Sequence, residues 1–302
     1  MKNTTEITRA VLQRRDEWQQ VRTARRRGLT RCMAVLAVVL ALCGGAAAAG
    51  SNSLAAFFEI FRGDRLSPEQ EAVAALAEGI ETRTAVSGDW TATVGNTICD
   101  GRNYYLTISV TGPEGWMEGS GGIFWDAVKP FAGGQLRPYA TLRTWHELDL
   151  AEADTDYYVM CLTFQEPIEG PLTLELGDRD LPEEAWVFED LEFAATREPV
   201  ELLAEPLTLR TGTALDEGTC TVQLDSVQLR TFALHIAYSN KSRADSPDPE
   251  GLLVLKDGTT YELHFSESGN GTSGTLEAVF GFPVLPGEVD HILLEGIKLE
   301  IP

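Results

Sequence analysis

Residues 32 to 58 carry no charge, and their apolar heart, Cys32 to Ala49, is far too hydrophobic to be left in water. As a helix rising 1.5 Å per residue this heart is roughly 27 Å long, close to the ~30 Å hydrocarbon core of a bilayer. Arg25, Arg26, Arg27 and Arg31 stand immediately before it. Positive charge flanking a span stays on the cytoplasmic side. The pattern therefore predicts a single transmembrane α-helix over residues 32–50, with the N-terminus in the cytoplasm and the C-terminal part outside the cell membrane. A cleaved export signal is the competing reading, because Ala47-Ala48-Ala49-Gly50 offers small residues at a cleavage position. Against it, signals usually total roughly 15–30 residues, and here about thirty precede the apolar run. A lipoprotein reading of Leu40-Ala41-Leu42-Cys43 meets the large Leu42 before the cysteine, and the twin-arginine export pattern is matched only loosely around Gly28 to Arg31.

Charge divides the chain at the same place. Residues 1–31 hold nine basic side chains and the three acids Glu6, Asp16 and Glu17, a net of +6. The whole chain is −22, so the remainder carries −22 − 6 = −28. Such asymmetry marks segments in different environments. A body this acidic repels phosphate backbones, which excludes nucleic acid as its partner. The basic stub suits a membrane surface rich in anionic lipid or an acidic protein.

Within the stub, Ile7, Val11, Trp18 and Val21 recur at spacings near 3.6, with Arg14 interrupting the stripe and Gly28 ending it. This predicts a short cytoplasmic helix. One account rests it on lipid with its aromatic side down. The other docks Trp18 and its apolar neighbours in a partner's groove, with Arg25 and Arg26 among the arginines at the rim. Both stay open on periodicity alone.

A juxtamembrane connector, residues 51–85, follows. Ser67-Pro68-Glu69-Gln70-Glu71 has helix-start chemistry: Ser67 as N-cap, Pro68 at the first helical position, carboxylates in the first turn. Leu54, Phe57, Phe58 and Phe61 form an apolar cluster expected either in the membrane interface or against the ectodomain.

From about Val86 the texture is that of strands. Tyr104 to Val110 is dense in aromatic and β-branched residues after the turn Asp100-Gly101-Arg102-Asn103. Further runs appear at 139–148, 157–164, 172–176 and 186–193, and beyond Pro199 at 206–210, 220–227, 230–239, 252–255, 260–265, 275–282 and 291–301. Lys256-Asp257-Gly258-Thr259 marks a hairpin, for which Asp-Gly predicts a primed turn. The fold class expected is mainly β: two tandem immunoglobulin-like antiparallel β-sandwiches, residues 86–196 and 197–302, outside the membrane.

The run Trp90 to Trp116, a strand, an Asp-Gly turn and a strand ending near Pro113-Glu114-Gly115, resembles the opening of an ectodomain family in Firmicutes single-pass membrane proteins. The closing run, with Phe280, Phe282, Pro283, Pro286, Val289 and Ile292 to Ile297, is similar to the end of such an ectodomain. The resemblance implies a β-sandwich ectodomain of unknown function behind one span. It also implies an anti-sigma-factor-like arrangement, with a sigma factor as the cytoplasmic partner. It implies no catalytic residues.

Chemistry is sparse. His146, His235, His264 and His291 form no H-x-x-x-H or H-E-x-x-H pair, and Gly119-Ser120-Gly121-Gly122 lacks the spacing of a nucleophile elbow. Asp149, Glu152, Asp154 and Asp156, and again Asp178, Asp180, Glu183 and Glu184, are either solvated faces or oxygen ligands for calcium, without the EF-hand order. Cys99 and Cys161 fall in strands of the first sandwich, where a bridge and two buried thiols are both open. Cys32 and Cys43 lie in the span, and Cys220 has no partner in its own domain. No cofactor, metal or catalytic residue is expected. The chain reads as a transmembrane signalling protein with an unknown extracellular ligand; the alternatives are an envelope adhesion or scaffold module, and a secreted hydrolase.

Overall fold

Ser67 starts a helix in the way its neighbours dictate. Its side chain accepts from Gln70 N at 3.2 Å, and Gln70 Oε1 accepts from Ser67 N at 3.1 Å, a reciprocal capping box with Pro68 at the first turn. This helix, α2 (Pro68–Glu78), follows a shorter one, α1 (Leu54–Arg62). The computed structural model describes residues 54–116, 123, 125–146, 154–177, 185–213, 218–242, 246–270 and 272–302. No helix among the described residues is long and apolar enough to cross a membrane, and residues 32–50, where the span is expected, lie outside them.

The rest is mainly β, in four sheets whose main paths are antiparallel throughout. The first lobe contains β1 (Arg83–Ser87), β2 (Trp90–Cys99), β3 (Asn103–Thr111), β4 (Ala127–Ala132), β5 (Gln135–Leu136), β6 (Tyr139–His146), β7 (Thr155–Phe164), β8 (Leu172–Gly177), β9 (Trp186–Leu191) and β10 (Ala194–Ala195). They form one sheet ordered β1-β2-β3-β7-β6, with β10 added in parallel to β2, and a second ordered β5-β4-β8-β9. The second lobe contains β11 (Val200–Glu201), β12 (Leu207–Thr213), β13 (Thr219–Leu229), β14 (Ala233–Ser239), β15 (Pro247–Asp248), β16 (Gly251–Leu255), β17 (Thr260–Leu263), β18 (Ser266–Asn270), β19 (Ser273–Val279), β20 (Val289–Leu294) and β21 (Ile297–Glu300). Its sheets run β15-β12-β13-β14-β19-β18 and β17-β16-β20-β21, with β11 beside β13.

Side chains alternate across a strand, so β3 presents Tyr104, Leu106, Ile108 and Val110 to one side. These join Val128, Leu174, Leu176, Trp186 and Phe188 of the facing sheet in one buried cluster. The opposite side of β3 and β7 is covered as well. Tyr105, Val159 and Cys161 belong to a second cluster that also takes in Leu54, Phe57 and Phe58 of α1 and the interior of the second lobe. Both central strands are thus buried on two faces, unlike a sheet with one face in water.

Two turns differ in detail from expectation. The 256–259 hairpin exists, but its turn is not primed: Gly258 has φ +88°, whereas Asp257 is not left-handed. Gly258 N bonds Leu255 O at 2.9 Å, and Asp257 Oδ1 accepts from Thr259 N at 2.8 Å, a type I turn closed by one left-handed glycine. The primed turn lies instead between β20 and β21, where Glu295 (φ 48°) and Gly296 (φ 77°) both take positive φ. The expected single run 291–301 is therefore two strands.

Candidate functional site

The turn joining β2 to β3 sits where the two lobes meet. Gly101 takes φ +89°, and Asp100 Oδ1 accepts from the backbone N–H of Arg102 at 3.1 Å and of Asn103 at 2.8 Å. From this turn Arg102 reaches the second lobe while keeping one bond within its own. Opposite it, cross-strand register lines up Gln228, His235, Glu277 and Ser266 in one row over β13, β14, β19 and β18.

Arg102 Nη1 donates to His235 Nε2 at 2.9 Å, its Nε donates to Phe164 O at 3.1 Å, and its Nη2 lies 3.7 Å from Glu277 Oε2. Asn103 Nδ2 donates to Glu277 Oε1 at 3.2 Å, and Thr163 Oγ1 donates to Asn103 Oδ1 at 2.8 Å. The second lobe answers with Phe232 N on Asp100 Oδ2 at 3.1 Å and Arg230 Nη1 on Asp100 O at 3.0 Å. Arg102, Asn103, His235 and Glu277 are all buried. Buried charge is tolerable only when paired and hydrogen-bonded, and this network meets that condition at nearly every atom. The exceptions among the described residues are His235 Nδ1 and Arg230 Nε. Burial lowers the His235 pKa to about 3, and the Arg102 and Arg230 guanidiniums push the same way. With Nε2 accepting from Arg102, this imidazole is neutral and has no lone pair left for proton abstraction.

Above Arg102 and Glu277 opens a cleft of about 230 Å³ between β6 and the β7 end on one side and β18 and β19 on the other. Thr141, Gln165, Ser266, Ser268 and Thr275 line it, with Tyr139 at its flank. Gln165 Nε2 reaches across to Ser268 Oγ at 2.8 Å. The arrangement can hold a small polar ligand.

The second feature of this joint is an aromatic clamp on α1. The Phe58 ring lies 5.7 Å from Tyr105 of the first lobe and 5.6 Å from Phe232 of the second, and Phe57 lies 5.1 Å from Trp145. Tyr105 OH donates to Phe280 O at 2.6 Å, and Gln70 Nε2 donates to Pro283 O at 2.6 Å. Gly281 is required: a Cβ there would stand 2.4 to 2.6 Å from Phe61 ring and Cβ atoms.

Of the residues singled out from the sequence, Ile7, Val11, Trp18, Val21, Arg25 and Arg26 all lie outside the described residues, as do Cys32 and Cys43. Leu54, Phe57 and Phe58 pack into the core, and Phe61 meets Trp145 edge-on at 5.3 Å. Of the acidic loops, Asp154 accepts from Gly115 N at 2.9 Å and Asp156 from Tyr157 N and the Tyr158 hydroxyl. Cys99, Cys161 and Cys220 are buried and form no disulfide. Cys99 pairs in register with Tyr104 and Cys161 with Tyr105, which places the two thiols on opposite faces of one sheet, so no bridge joins them. Burial pushes the Cys161 thiol up to about 12. Arg102, His235 and Glu277 were not singled out as site residues; in sequence each occupies an ordinary polar position of a strand or turn.

No family model matches the chain, and no curated protein does. Among solved structures, the crystal structure of a conserved domain protein from Bacillus anthracis is similar over 81% of this chain and 80% of its own. The identity is 13% and the TM-score 0.48.

Proposed function

We propose that the chain is a single-pass membrane protein with a cytoplasmic N-terminus, and that its β-rich part is an extracellular sensor coupled to the stub in an anti-sigma-factor-like manner. In this reading the two lobes are the tandem immunoglobulin-like sandwiches. Each lobe's pair of antiparallel sheets supports it, with the facing sheets of the first lobe sharing one buried cluster. The observation that carries the signalling reading is the clamp on α1. This helix begins four residues after Gly50, the end of the apolar segment, and both lobes grip its Phe58. A change at the joint between the lobes therefore acts on the helix nearest in sequence to the expected span.

The test uses the full-length chain in cells with a transcriptional reporter. Gly281→Ala forces Phe61, and α1 with it, away from its seat. Reporter output should shift while protein abundance at the membrane holds. An output unchanged by a displaced α1 removes the signalling reading. Reporter fusions at Asn3 and after Pro302 check the topology separately: the first should be active only inside the cell and the second only outside.

One observation favours the scaffold alternative. Residues of both lobes join the same cluster, so the lobes share apolar packing as well as polar contacts. An anchored adhesion or scaffold module would use that continuity for stiffness, and Gly281→Ala would then lower abundance without a transcriptional effect.

A further inference from the structure

The chemistry of the inter-lobe cleft is specific enough to name a ligand class. Its floor is formed by Arg102 and Glu277, each more than nine-tenths buried. Glu277 Oε2 opposes the Arg102 guanidinium at 3.7 Å, while His235 Nε2 and Phe164 O accept from its Nη1 and Nε. Glu267, also on the lining, is paired with Lys241 Nζ at 2.9 Å, so both carboxylates and the guanidinium at the cleft already face an opposite charge.

The walls are hydroxyl-rich and their polarity is sorted. Ser266 Oγ donates to Glu277 O at 3.2 Å and Thr275 Oγ1 donates to Ser268 O at 3.3 Å, so both hydroxyls present acceptor lone pairs to the cleft. Ser268 Oγ accepts from Gln165 Nε2, which leaves its own O–H as a donor. A neutral set of donors and acceptors at short spacing matches adjacent hydroxyl groups, each of which gives and takes a hydrogen bond. Tyr139, half-buried at the flank, adds an aromatic surface for the C–H side of a ring. The volume is that of about seven or eight waters, the scale of one small ring and too little for a drug-sized ligand.

We propose that this cleft binds a single sugar ring, either free or at the end of a glycan chain. The proposal rests on reading the cleft as the sensor's ligand site, and it deepens that reading by naming what is sensed.

The experiment is saturation-transfer NMR on the full-length chain in a detergent without a sugar headgroup, with glucose, N-acetylglucosamine, maltotetraose and chitotetraose as probes. Wild type should transfer saturation to the ring protons of at least one probe. Gln165→Trp, a change at an exposed rim position that fills the opening, should abolish the transfer without lowering the melting temperature. Ser268→Ala removes one neutral hydrogen bond and should weaken binding about fivefold. An oligosaccharide that binds about tenfold more tightly than its monomer identifies a glycan end, and equal affinities identify a free sugar. The proposal is overturned if no probe responds to wild type, or if Gln165→Trp binds as well as wild type. Because Gly281→Ala tests signalling without any ligand, a chain that signals yet binds no sugar overturns the sugar assignment alone.

Discussion

Arg102 and His235 come from different lobes, and the 2.9 Å bond from Nη1 to Nε2 fixes the imidazole in its neutral form with the proton on Nδ1. Protonating His235 would set two cations against each other in a buried space. The joint between the lobes is therefore expected to weaken in acid.

Below its ordinary pKa of about 6.5 the unfolded histidine takes up a proton, whereas the folded one resists down to about 3. The unfolded state thus binds more protons in this window, and the stability contributed by neutral His235 is lost progressively as pH falls from 6.5 toward 3. Glu277, raised by burial, acts with the opposite sign just above its ordinary range. A comparison with His235→Gln isolates the histidine: urea midpoints of the variant should decline less steeply between pH 6.5 and 5 than those of wild type. Parallel slopes would show that His235 does not titrate differently on folding.

Leu106 and Ile108 are fully buried against the facing sheet of the first lobe. Leu106→Ala leaves a cavity there and should cost about 2–5 kcal/mol in chemical denaturation. A loss under about half a kcal/mol would place Leu106 at a surface.

Glu295 is held at φ 48° in a primed turn, a conformation that asparagine tolerates better than glutamate. Glu295→Asn should stabilise the protein by about 0.5 kcal/mol, seen as a higher denaturation midpoint with an unchanged slope. Glu295 Oε1 also accepts from Glu250 N at 3.1 Å, so Glu250→Pro is a useful second background in which that bond is absent.

The stub offers a separate test of partner binding. If Trp18 occupies a groove on a cytoplasmic protein, Trp18→Ala should cost at least about 2 kcal/mol, roughly thirtyfold in affinity. Crosslinking from position 18 in living cells reads this directly; capture of lipid alone would favour a helix resting on the membrane.

The local elements were legible because their causes are local. The Ser67 helix start, the Asp100-Gly101 turn and the shared face of Leu106 and Ile108 each follow from a few neighbouring residues. The second burial face of β3 was not, since Tyr105 is covered by Phe58 and Phe232, both distant in sequence. In Ala233-Leu234-His235-Ile236-Ala237 the alternation puts His235 with the small Ala233 and Ala237, away from Leu234 and Ile236, a face that reads as solvent. It meets the other lobe instead. Asp257-Gly258 is the pair that favours a primed turn, whereas Glu295-Gly296 adopts one despite a poorer first residue. Nothing local signals the Arg102–His235–Glu277 grouping, which exists only once three separate stretches of chain converge.

The clamp on α1 also sets an order of events. Ribosomes release the chain from its N-terminus, yet the seat for Phe58 is incomplete until Phe232 has been made. At about 5–20 residues per second that interval lasts on the order of ten seconds or more. During it Phe57 and Phe58 have only their first-lobe neighbours, Trp145 and Tyr105, and the other half of the seat is missing. A helix that begins the β-rich part of the chain is among the last pieces to be sealed into it, so a nascent chain halted before the second lobe should be held by a chaperone at this apolar stretch, and a completed one should not.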